Sequence, residues 1–163
     1  MQAVGPIFSR IPIGLQAHCI SIECHIAPGL PGTTIVGLAE GAVKESRDRV
    51  KSALRNNGFN YPNGHVIINL APGNLTKSGT GFDLPIALAI LQASGQVNIP
   101  NRENTEFIGE LGLFGELRAI NGILTCALAS TKANKCLVLP AQNEAEASLV
   151  KDGDLLVAPN LIE

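Results

Sequence analysis

Residues 29–91 read GLPGTTIVGLAEGAVKESRDRVKSALRNNGFNYPNGHVIINLAPGNLTKSGTGFDLPIALAIL. Changes of hydrophobic period along this stretch set the fold class. The Gly-Pro turn at 28–32 punctuates the chain, and Thr33–Val36 is short and β-branched, which suits a buried strand. Then the spacing becomes helical. Ala39, Ala42, Val43, Ser46, Val50, Ala53 and Leu54 fall on one side and charge falls on the other. The helix is predicted to end at Asn57-Gly58, where glycine supplies a left-handed cap. Val66–Leu70 reads as a strand and residues 71–81 as a loop with three glycines. Asp83 is the expected N-cap of a helix from Leu84 to about Ser94, with Pro85 tolerated in its first turn.

Upstream, Val4–Arg10 and His18–Ile26 are expected strands, the first ended by Ile11-Pro12. Downstream, Phe107–Ile120 reads as a β-hairpin with Phe114-Gly115 at its tip. Ile123–Ala133 is an expected helix, Cys136–Leu139 a strand, Ala141–Val150 a helix and Leu155–Ala158 a last strand. Strands precede helices and then alternate with them, the order of an α+β domain built on one mixed sheet with packed helices. With no repeat and no linker, residues 1–163 form one expected domain. Its pattern is still running at Leu161-Ile162-Glu163, as in a fragment of a longer protein.

The 163 residues are 45% apolar and 16% charged, enough to bury a core. A formal charge of −2 excludes a polycation, so any nucleic-acid contact must come from a local patch. Tryptophan is absent and tyrosine occurs once, leaving few platforms for stacking bases. The four cysteines, at 19, 24, 126 and 136, form no CxxC pair, and neither a signal pattern nor a spanning apolar run is present. The expectation is a cytoplasmic chain with reduced thiols and no membrane partner.

The dense basic segment holds Lys44, Arg47, Arg49, Lys51 and Arg55 against Glu45 and Asp48. Steps of three and four put Lys44, Arg47, Lys51 and Arg55 on a common side. Such a row suits phosphates, whose neutralisation releases counterions. It equally suits a solvated face or a subunit interface, and the sequence leaves the three open. The loop at 72–79 fails as a phosphate loop, because the template GxxxxGK[ST] needs glycine where Ala71 and Thr76 stand. Lys77 remains a secondary candidate for an anionic partner at the start of the following helix. His18, Cys19, Cys24 and His25 do not converge as zinc ligands on an extended strand. Ser78 beside Lys77 lacks a third orienting group. Asp83 and Glu110 are a nominal carboxylate pair, the first already explained by capping. Phe114 at the hairpin tip reads equally as an exposed partner contact or as a core residue folded back.

GLPGTTIVGL (29–38), VKESRDRVKSALRNNGF (43–59), INLAP (68–72), FDLPIALAIL (82–91) and GELGLFGELRAINGI (109–123) are similar, in this order, to motifs of the N-terminal domain of ComM-type proteins. The chain resembles that domain from about Ala3 to Glu163. Those proteins are bacterial AAA+ ATPases related to the magnesium-chelatase ATPase subunit. The resemblance implies a ribosomal S5 domain 2-like fold, similar to the proteolytic domain of Lon. It also implies a hexameric ring, with self and DNA as partners and a role in DNA branch migration during natural transformation. ATP and magnesium are expected in an ATPase domain downstream, with no cofactor and no metal in this segment. Lon hydrolyses peptides with a Ser-Lys dyad. The matching positions here are Gly81 and Leu124, neither of which can serve as nucleophile or base, so no catalytic residue is assigned. The alternatives are a Lon-type peptidase with a relocated dyad and a magnesium-chelatase-like subunit.

Overall fold

A computed structural model describes residues 4–163. Met1, Gln2 and Ala3, which the single-domain and resemblance expectations include, lie outside the described residues. The core of the fold is a seven-stranded mixed sheet. Its strands are β1 (Ile7–Ile13), β2 (Gln16–Ala27), β3 (Gly32–Val36), β4 (His65–Ala71), β5 (Thr105–Phe107), β8 (Cys136–Pro140) and β9 (Leu155–Ala158). They lie in the order β3-β4-β2-β1-β5-β8-β9. β6 (Glu110–Leu111) and β7 (Leu117–Arg118) form a separate small hairpin.

β1, β2 and β4 are joined antiparallel, whereas β3 pairs parallel with β4, and β5, β8 and β9 run parallel to one another. Period-two alternation decides which side chains each face receives. Ile7, Ile11, Ile20, Ile22, Val66, Ile68 and Leu70 point to one face and are buried under helices α2 (Ser46–Asn56) and α3 (Asp83–Ala93). Phe8, Glu106 and Leu137 stand in register and point to the other face. There Leu137 and Leu139 pack with Ile123, Cys126 and Ala127 of α4 (Ile123–Lys132). Each cluster excludes apolar area from water, worth roughly 1.5–3 kcal/mol per fully buried aliphatic side chain.

Several sequence expectations needed correction. β1 does not stop at Ile11-Pro12 but runs through it to Ile13, with Pro12 opposite Ala17. Beyond Phe8 its other edge has no strand pairing among the described residues, so the missing proline N–H costs nothing there. The helix at 39–57 is broken at Glu45 into α1 (Gly41–Lys44) and α2. Its end is as expected, with Gly58 at φ +82°. Ala141–Val150 is not one helix. It is a 3-10 turn at Ala141–Asn143 followed by one turn of α5 (Glu144–Ala147). Asn143 spends its amide on Ile120, accepting from its N–H and donating to its C=O at 3.0 Å each, which pins the segment's start. Asp83 is not an N-cap: Phe82 occupies that position in helical conformation, and the carboxylate turns inward instead. The expected hairpin Phe107–Ile120 is narrower, with strands only at Glu110–Leu111 and Leu117–Arg118, and β5 (Thr105–Phe107) joins the main sheet as a strand the sequence reading did not give. β1 starts at Ile7 rather than Val4, while β2, β3, β4, β8, β9, α3 and α4 lie within one or two residues of expectation.

Candidate nucleic-acid interface

The 3–4 spacing of the basic row is realised in space. Lys44, Arg47, Lys51 and Arg55 line two adjoining depressions between α1–α2 and β3, an edge strand of the sheet. The larger, about 590 Å³, holds Arg47, Lys51 and Arg55 opposite Gly32, Thr33 and Tyr61, with Asp48 as its one carboxylate. The smaller, about 170 Å³, holds Lys44 and Arg47 opposite Thr33, Thr34 and Ile35. Thr33 and Arg47 belong to both, so the two form one groove whose helix runs against the strand.

The floor of the groove is fixed. The Thr33 hydroxyl and the Tyr61 hydroxyl lie 2.6 Å apart, and the Lys51 ammonium sits 5.4 Å from the centroid of the Tyr61 ring. Burial pushes the Tyr61 phenol above its ordinary range, partly opposed by its bond to Thr33. Four cations against one carboxylate make the local potential positive although the chain is net acidic.

Arg49 does not join the row. It lies two residues from Arg47 and so about 200° round the helix, facing α3. Its guanidinium donates to Asp83 through Nε–Oδ2 at 2.7 Å and Nη2–Oδ1 at 3.1 Å, and also to the Ala42 carbonyl at 3.0 Å. Asp83 is fully buried and accepts two further bonds, from Ser46 Oγ at 2.5 Å and the Leu111 N–H at 3.0 Å. Burial pushes the Asp83 carboxyl up, and the bonds from Arg49, Ser46 and Leu111 pull it back. Asp83 in turn holds the Arg49 guanidinium above its ordinary range. Short charge-assisted bonds to both oxygens favour the ionised pair. Sequence reasoning missed this site because its halves are 34 residues apart and Asp83 imitates a cap.

Lys77 is also withdrawn from the candidate surface. Its side chain is fully buried, and its ammonium donates to the Gly37 carbonyl at 2.6 Å and to the Pro72 carbonyl. It lies just beneath these loops rather than at the centre of the core, and desolvation alone holds its pKa below the usual lysine value. It pins the β3–α1 connection to the loop after β4, and no hydrogen bond joins it to Ser78. Glu110 accepts from the Thr80 hydroxyl at 3.0 Å, while Asp83 serves Arg49, so the two carboxylates have separate partners. A β-carbon on Gly81 would meet Ile108 Cγ1 at 3.1 Å, and Leu124 packs against the α4 cluster. Of the two readings of Phe114 the structure shows the exposed one, at the hairpin tip, while Asn56 and Asn57 donate to the carbonyls of Leu113 and Phe114 at 2.8 and 3.0 Å. Among the described residues no helix is long and apolar enough to cross a membrane.

A mixed α+β domain with a cationic groove along one sheet edge is thus defined. Residues 22–143 match the family described as subunit ChlI of Mg-chelatase, and the chain belongs to that family. It is 45% identical over 162 residues to competence protein ComM of Haemophilus influenzae, covering 99% of this chain and 32% of that protein. YifB of Escherichia coli is 42% identical over 160 residues, covering 98% of this chain and 32% of that protein. Lon protease 1 of Hydrogenovibrio crunogenus is more distant, 26% identical over 159 residues, covering 93% of this chain and 19% of that protein. The chain corresponds to the N-terminal region of ComM- and YifB-type proteins and spans about a third of the length of the curated relatives it matches.

Proposed function

We propose that this chain is a non-catalytic assembly and DNA-engagement domain of a hexameric AAA+ ATPase that acts on branched DNA during natural transformation and recombination. The observation that carries the reading is the groove, in which Lys44, Arg47, Lys51 and Arg55 form one row with a single opposing carboxylate. Such a row binds phosphates without reading sequence. The 45% identity to competence protein ComM supports DNA uptake as the setting. In the same reading the fold is of the ribosomal S5 domain 2-like, Lon-proteolytic type, the protein is cytoplasmic, and ATP and magnesium act in a downstream ATPase domain. The non-catalytic part of the reading draws support from Gly81, which lacks a nucleophile, and from Lys77, whose ammonium is spent on two carbonyls.

The test is fluorescence anisotropy with single-stranded and branched DNA at two salt concentrations. Salt-sensitive binding that is lost in the Arg47→Ala/Lys51→Ala double variant is the expected result. Absence of binding at low salt would assign the row to a subunit interface or to solvent instead.

A further inference from the structure

β3 forms the side of the groove opposite the cations, and only its inner edge is paired, to β4. The Gly32 N–H donates to the Gly64 carbonyl at 3.3 Å, so Gly32 faces β4. Peptide groups alternate along a strand. Thr34 and Val36 therefore also face β4, while the N–H and C=O groups of Thr33 and Ile35 point away from the sheet, where no further strand pairs among the described residues. Native sheets blunt such edges with charge, proline or a bulge inside the strand. GTTIV contains none of these.

Spacing and charge specify what the edge would take. A strand added beside β3 turns the side chains opposite Thr33 and Ile35 toward the helix side, because those two residues face that way themselves. Alternate residues of a strand lie about 6.7 Å apart. Arg47 and Lys51, four residues apart on α2, are separated by about 6 Å along the helix axis. Acidic side chains at every second position therefore meet Arg47 and Lys51 in step, while Lys44 shares the smaller depression with Thr33 and Ile35.

We propose that the free edge of β3 docks an extended acidic polypeptide, which adds as an eighth strand and sets carboxylates at alternate residues against Lys44, Arg47 and Lys51. Main-chain bonds to Thr33 and Ile35 supply the pairing and the cation row supplies the selectivity. This goes beyond the DNA reading, which uses the cations but not the strand edge.

The experiment is an amide-resolved NMR titration of the chain with a short peptide of alternating Glu and Thr. The expected result is binding in which the Thr33 and Ile35 amides shift and exchange with solvent roughly tenfold more slowly, as newly paired donors do. A peptide of the same composition with its glutamates in one block should bind about tenfold more weakly. Backbone N-methylation of the alternating peptide should abolish the protection. Equal binding by the block or N-methylated peptide, or none by the alternating one, would overturn the proposal. So would equal protection of Thr33 and Ile35 by single-stranded DNA, which would make nucleic acid the occupant of the edge. DNA binding without that protection would leave the DNA reading intact, so the two ideas fail separately.

Discussion

Arg49 and Asp83 clasp each other between α2 and α3, with Nε 2.7 Å from Oδ2 and Nη2 3.1 Å from Oδ1. The arginine side chain is 18% exposed and the carboxylate fully buried. Ser46 and the Leu111 N–H complete the carboxylate's shell, so one residue ties α2, α3 and the β6–β7 hairpin together. The back of the basic helix is thereby fixed, and Lys44, Arg47, Lys51 and Arg55 line the groove on its other side.

Removing one partner of this pair should be costly. Arg49→Ala leaves a buried carboxylate short of its cation, and the expected loss is about 3–5 kcal/mol. Arg49→Met with Asp83→Leu removes both charges and should cost far less. Urea unfolding of the single and double variants checks this. A single variant as stable as the parent would show that the pair contributes nothing.

Lys77 and Lys51 should separate stability from binding. Lys77→Met strands the Gly37 and Pro72 carbonyls beneath the loops and should lower stability by about 1–3 kcal/mol. DNA affinity should be unchanged under conditions where the variant is folded, because the buried ammonium meets no ligand. Lys51→Ala should do the reverse: stability within about 0.5 kcal/mol of the parent, and a salt slope flatter by about 0.7–0.9. Denaturant midpoints and anisotropy on the same samples give both readings. Weaker DNA binding by folded Lys77→Met would return that residue to the interface.

The basic row was legible because helix geometry is local: residues three and four apart share a face whatever the tertiary fold. The short apolar run Val66–Leu70 was also legible locally, and the strand observed is His65–Ala71. What escaped depends on partners far along the chain. Nothing near Arg49 announces that Asp83 will meet it, and nothing near Lys77 announces that Gly37 will cover it. The edge position of β3 follows from strand order, which its own five residues do not encode. Pro12 misled because a proline excludes a central strand but not the unpaired flank of one.

Gly37 should not tolerate a side chain. Its φ is +107°, and a β-carbon built there would run into the Leu70 carbonyl oxygen. Strain and clash both act on backbone, which cannot rotate away as a side chain can. Gly37→Ala should lose at least about 2 kcal/mol and displace the carbonyl that accepts from Lys77. Thermal unfolding measures the loss. A melting temperature within a degree of the parent's would contradict the crowding described here.

The thiols predict an alkaline limit to stability. Desolvation by burial pushes Cys24 and Cys126 from an ordinary value of 9.0 up to about 12. A raised pKa means that the folded state keeps a proton which the unfolded chain gives up. Below pH 9 both states are protonated and the contribution is fully present. Between pH 9 and about 12 the unfolded chain ionises first, and stability falls as pH rises. The slope is about 1.4 kcal/mol per pH unit for each thiol. Unfolding free energy measured by urea at stepped pH should therefore bend downward above pH 9, and Cys126→Ala should remove about 1.4 kcal/mol per unit from that slope. Disulfide-exchange reagents at pH 8 should reach exposed Cys19 first and buried Cys126 only on unfolding. An unchanged alkaline slope in Cys126→Ala would mean that this thiol ionises alike in both states, and that its burial is not maintained in solution.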